Sequence, residues 1–146
     1  MVKETPLNPN FKEAIEHFAL AMPVVKFIGL EFTKIEHGSV EFMVPYREEL
    51  SFAQGSFQAG PIGMLMDMAA CCAIGTKLPP GWMFSTIDFT TKILAPANGT
   101  CFIARGCAVS SGKTVSVGSA NVFAIKGDNE TLCATGLVTT RNFKAK

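Results

Sequence analysis

Residues 57–78 read FQAGPIGMLMDMAACCAIGTKL, and the rest of the fold can be argued outward from this stretch. It is long and poor in β-branched residues, it opens at Gly60-Pro61, and it stops before Pro79-Pro80-Gly81, so it predicts a helix. Apolar side chains fall on every face of that helix. A helix with no polar side has to be wrapped by other structure almost all round. Downstream the period changes to two. Phe84–Leu94, Thr100–Val109, Thr114–Ile125 and Thr131–Thr140 read as four strands, parted by Pro96-Ala97-Asn98-Gly99, Ser110-Ser111-Gly112 and Gly127-Asp128-Asn129. Upstream, Leu30–His37 and Ser39–Val44 read as a hairpin around Gly38, with Pro45 ending it. Before them Phe11, Ile15, Phe18 and Ala19 recur at helical spacing. They predict a short amphipathic helix from Asn8 to about Ala21, with Asn10 as N-cap and Pro23 closing the segment. The order favours an α+β domain, 1–146, in which a curved antiparallel sheet wraps the central helix and residues 1–26 form a helical extension. One helix cannot cover such a sheet, so the remaining apolar surface and strand edges predict a homo-oligomer.

Composition narrows the function classes. The chain has 146 residues, 48% of them hydrophobic and 17% charged, which suits one packed core and excludes disorder. Thirteen Lys and Arg against twelve Asp and Glu leave net +1, too little to draw the chain to nucleic acid or an anionic bilayer. The N-terminal segment carries Lys3, Glu4 and two prolines in place of an export signal, and the apolar run Pro61–Ile74 is too short to span a membrane. Five cysteines without a C-x-x-C pair read as reduced thiols in a cytoplasmic protein. His17 and His37 have no neighbouring ligand pattern, so no metal site is expected. Gly106 followed by Gly112-Lys113-Thr114 imitates a nucleotide-binding loop. Five residues separate those glycines where four are needed, and a strand rather than a helix follows, so Gly112-Lys113 is read as a turn.

Asp67 is the anomaly. It is the only charged residue between Glu49 and Lys77, and it lies inside the most apolar helix. Placing a carboxylate there costs several kcal/mol unless it is hydrogen-bonded or meets a wet cavity. It is read either as a local hydrogen-bonding group or as the base or nucleophile of an active site. Gln58-Ala59-Gly60-Pro61 opens the same helix, and the backbone N–H groups of Ala59 and Gly60 at its positive end are natural donors to a developing oxyanion. Eight residues at 1.5 Å rise put Asp67 about 12 Å along the axis from Ala59, too far to share one carbonyl. A second copy lying antiparallel across a two-fold axis would bring Asp67 of one copy to Ala59 of the other.

These residues resemble the hot-dog-fold acyl-CoA thioesterases, in particular the phenylacetate-pathway, PaaI-like branch. The resemblance runs from Phe27 to Phe143. Gly55-Ser56-Phe57-Gln58-Ala59-Gly60 followed by Asp67 is similar to the family's His-Gly-Gly turn and helical Asp. Ser85-Thr86-Ile87-Asp88-Phe89 and Leu94-Ala95-Pro96-Ala97-Asn98-Gly99 are similar to its next strand and Pro-x-x-Gly turn. The resemblance implies hydrolysis of an acyl-CoA or aryl-acyl-CoA by a dimer or dimer of dimers, with coenzyme A as part of the substrate and no other cofactor. Asp67 would activate water or attack the thioester carbon, the Ala59 N–H would polarise the carbonyl, and Thr86 would help hold the water. Gln58 stands where the family has His, and Phe52 about where many members have Asn. Phe52, Phe57, Met64 and Met68 are candidates for an acyl pocket, each competing with plain core packing. Lys92, Arg105 and Lys113 are candidates for the coenzyme A phosphates, each competing with a solvated charge. Two other readings stay open: an acyl-CoA binding module without turnover, and a hydratase, which needs an acid/base pair that His17 and His37 do not resemble.

Overall fold

The computed structural model describes residues 4–146; residues 1–3 of the expected domain, Lys3 among them, lie outside the described residues. Six strands form one antiparallel sheet in the order β1-β2-β6-β7-β8-β5. These are β1 (Glu31–Glu36), β2 (Ser39–Pro45), β5 (Trp82–Ile93), β6 (Cys101–Ser111), β7 (Val115–Lys126) and β8 (Asn129–Lys144). The sheet curves around helix α3 (Ala59–Gly75), which packs on β2, β5, β6, β7 and β8. This is the curved sheet around a central helix that the all-round apolar helix predicts, and no helix among the described residues is long and apolar enough to cross a membrane.

Two details differ from the sequence reading. The N-terminal helix α1 spans Phe11–Leu20, but the Asn10 side chain makes no capping hydrogen bond; Asn8 Oδ1 accepts from the Asn10 N–H instead, at 3.0 Å. Pro23 does not simply end the segment. It starts a second helix, α2 (Pro23–Ile28), at a first-turn position where its missing N–H costs nothing, and Gly29 at φ 69° closes it. The connection from Tyr46 to Ser56 holds a 3-10 turn (Glu48–Leu50) and a small ladder of β3 (Ser51–Ala53) with β4 (Ser56–Phe57). Tyr46 ties it together, its hydroxyl donating to Ser51 Oγ at 3.0 Å and accepting the Gly55 N–H at 2.9 Å.

Small residues let α3 sit directly on the sheet. Ala69 and Ala70 face Gly106 on β6 and Gly118 on β7. A Cβ at Gly118 would stand 3.0 Å from the Ala70 carbonyl oxygen, and one at Gly106 would overlap the Ala69 carbonyl outright. Backbone cannot swing aside as a flexible side chain can. Gly106→Ala is therefore expected to cost about 3 kcal/mol, the upper part of the overpacking range. Urea unfolding checks this, with Cys107→Ala on the exposed side of the same strand as a control expected within about 0.5 kcal/mol of wild type.

β5 is an edge strand, paired only with β8 among the described residues. Its side chains from Ser85 to Thr90 are all exposed, Ile87 by 60% and Phe89 by 47%. Such an edge is a template for pairing with another chain.

Candidate active site

Asp67 lies half-buried on the face of α3 that turns toward β5. What brings the two elements into register is a bulge at Ile87. Thr86 pairs with Thr140, yet Asp88 pairs with Thr139, so Ile87 has no opposite number and the strand's alternation changes phase. Thr86 therefore faces α3 before the bulge and Phe89 and Thr91 face it after, the last two lying beside Gly63 one helical turn before Asp67. The Thr86 hydroxyl donates to Asp67 Oδ1 at 2.8 Å. A hydroxyl donating to a carboxylate is a charge-assisted bond and fixes the side chain's direction. No Lys, Arg or His forms an ion pair with Asp67 among the described residues. An isolated carboxylate, oriented and partly dried, is suited to taking a proton or attacking a carbon.

The start of α3 forms a second feature. Gln58 is the N-cap at ψ 152°, and its side-chain oxygen accepts the Gly60 N–H at 2.5 Å. That corrects the pairing of Ala59 and Gly60 as oxyanion donors: the Gly60 N–H is committed to Gln58, and the Ala59 N–H is left without a partner among the described residues. Gln58 thus acts through the helix turn. The turn is pinned on both sides, since the Gln58 N–H donates to the Leu50 carbonyl at 3.0 Å and the Phe57 N–H to the Ala97 carbonyl at 3.1 Å. Beside it an apolar groove of about 550 Å³ is lined by Phe52, Gln58, Ala59, Ile62, Ile93 and Leu94. Phe52, 71% exposed, forms its rim. Phe57 forms its floor, stacked on Phe102 with ring centroids 3.9 Å apart.

The other sequence candidates are not gathered here. Met68 is buried in the core, Met64 packs against it, and neither lines the groove. Arg105 follows the opposite face from Gly106, so it points away from α3. There it donates to Glu41 at 2.6 Å and Glu130 at 2.7 Å and lies 4.5 Å over the Phe123 ring. The guanidinium, with help from the Thr33 hydroxyl, holds the Glu41 carboxyl below the usual range. Arg105 is thus taken, and is not a phosphate ligand at this site. Lys92 is exposed on the side of β5 turned away from α3. Lys113 stands with Leu78 and Trp82 at the far end of α3, about 25 Å along the helix from Ala59. His17 lies on α1, and His37 at the β1–β2 turn packs against Phe11 with ring centroids 5.8 Å apart, so neither pairs with Asp67. Of the cysteines, Cys71, Cys72 and Cys133 are buried as core thiols, whereas Cys107 is exposed. Sequence reasoning passed over Cys71, although its spacing of four from Asp67 places both on one helix face.

The fold matches a known class of structure. No protein-family model matches the sequence, and no curated protein does. Solved structures do match along nearly the whole chain. A thioesterase family protein from Silicibacter pomeroyi superposes with a TM-score of 0.90 at 24% identity, over 92% of this chain and 99% of that one. PaaI from the phenylacetic acid degradation operon of E. coli gives 0.83 at 13% identity, over 96% and 98%. A thioesterase from Haemophilus influenzae gives 0.78 at 17% identity, over 89% and 90%. The chain has the hot-dog fold of these thioesterase-superfamily structures.

Proposed function

We propose that the protein hydrolyses an acyl-CoA or aryl-acyl-CoA thioester, with Asp67 as the base. The observation that carries this reading is the Asp67 carboxylate, set in the most apolar helix and oriented by the Thr86 hydroxyl. Asp67 takes a proton from water as the water oxygen adds to the thioester carbon. The Ala59 N–H, at the positive end of α3, stabilises the oxyanion. The C–S bond then breaks, and coenzyme A leaves as the thiol once its sulfur has received the proton. The apolar groove beside Ala59 suits the acyl group.

Two copies are needed. In one protomer Asp67 and Ala59 stand about 12 Å apart along α3, beyond the reach of a single carbonyl. Antiparallel pairing of two β5 edges across a two-fold axis would cover Ile87 and Phe89 and set the two α3 helices side by side. Each site would then take Asp67 from one copy and Ala59 from the other, in a cytoplasmic homodimer or dimer of dimers. The reading is tested by thiol release from short, medium, long and aryl acyl-CoAs. Release from at least one of them is expected. Binding in calorimetry with no release across the set would assign instead a binding module, the outcome favoured by Gln58's hold on the Gly60 N–H.

A further inference from the structure

Three polar atoms close a triangle beside the helix carboxylate. The Thr86 hydroxyl lies 2.8 Å from Asp67 Oδ1, the Cys71 sulfur 3.5 Å from the same oxygen, and the Cys71 sulfur 3.4 Å from the Thr86 hydroxyl. Thr86 gives its one hydroxyl proton to Oδ1, so the single Cys71 S–H proton lies between Oδ1, which accepts it, and the Thr86 oxygen. Among the described residues no hydrogen bond reaches Oδ2. Cys72, next along the chain, makes an internal comparison: it is buried as well, but no hydrogen bond leaves its sulfur among the described residues.

Resting on the reading of Asp67 as the reacting group, we propose that Cys71 is a positioning residue whose thiol, together with the Thr86 hydroxyl, pins Asp67 Oδ1 and leaves Oδ2 to meet the attacking water. The spacing of four residues sets the thiol directly over the carboxylate on the helix surface. Cys71 is 5% exposed, so its contact is not shared with bulk solvent. The titratable groups facing Asp67 are the Cys71 and Cys72 thiols. Burial pushes both up to about 12, so both remain protonated at neutral pH, and Cys71 acts as a donor rather than a nucleophile. From β5 the group facing Asp67 is the Thr86 hydroxyl, which does not titrate in this range.

The test is steady-state kinetics of wild type, Cys71→Ala and Cys71→Ser on the acyl-CoA that wild type cleaves best. Cys71→Ala is expected to lower kcat several-fold with KM unchanged, and Cys71→Ser, which keeps a donor, to restore it. Equal kcat in wild type and Cys71→Ala would overturn the proposal, as would a Cys71→Ser kcat equal to that of Cys71→Ala. Without substrate, the infrared S–H band of Cys71, assigned by its loss in Cys71→Ala, is expected to move toward the free-thiol frequency in Asp67→Ala, where its acceptor is gone; an unmoved band also overturns the proposal. The band separates two failures. A band that moves in a protein that cleaves no thioester sinks the hydrolase reading and keeps the contact. An inactive Asp67→Asn beside an unaltered Cys71→Ala does the reverse.

Discussion

Asp67→Asn is expected to lower kcat/KM for the best acyl-CoA by about 10³-fold or more, within the range measured for removal of a general base. The substitution keeps the side chain's shape and an oxygen that can still accept from Thr86 at the present 2.8 Å. What it removes is basicity. The fold should therefore survive, with an unfolding midpoint close to that of wild type, because an amide in this half-buried position is easier to desolvate than a carboxylate. Unchanged kcat/KM in a folded variant would exclude Asp67 from the reaction.

Ala59→Pro has the second largest expected effect, a loss of about 10²- to 10³-fold in kcat, the amount associated with one oxyanion donor. Proline is an unusually clean probe at this position. Ala59 is the first residue of α3, where the N–H has no helical partner to lose, and Gln58 already sits at φ −74° and ψ 152°, the region that a following proline requires. Circular dichroism should show the helix intact while the rate falls; full activity would eliminate the Ala59 N–H. The two variants together test the shared site. Mixing Asp67→Asn with Ala59→Pro subunits should restore about a quarter of wild-type activity, since half the dimers would carry one intact site built from both copies. A site confined to one protomer would regain nothing.

The fold was legible because one helix announced its own environment. An α3 with no polar face cannot exist unless a sheet surrounds it, and the strands that follow it alternate plainly enough to supply that sheet. Asp67 was legible for the same reason, as a charge where none belongs. Other parts carried weaker signals. Pro23 marks an end and a beginning equally well, and only the chain's turn onto β1 decides that a second helix starts there. Strands of three and two residues, β3 and β4, are too short to show a period. Arg105 stood as a phosphate candidate because its partners, Glu41 and Glu130, lie on strands far from it in sequence, and no local spacing shows such a pairing. The loss of the Gly60 N–H to Gln58 is a matter of one rotamer, which no spacing rule contains.

If the groove holds the acyl group as proposed, the seating of α3 on glycine backbone limits how its specificity can be altered. With Gly106 and Gly118 beneath it there is no slack for the helix to rise or roll, so a bulkier substrate cannot be accommodated from below. Room has to be made at the mouth instead, where Phe52 projects from a hairpin of only a few residues and Leu94 stands over the turn opposite. Libraries aimed at specificity belong on those two walls, with residues 62–74 left untouched.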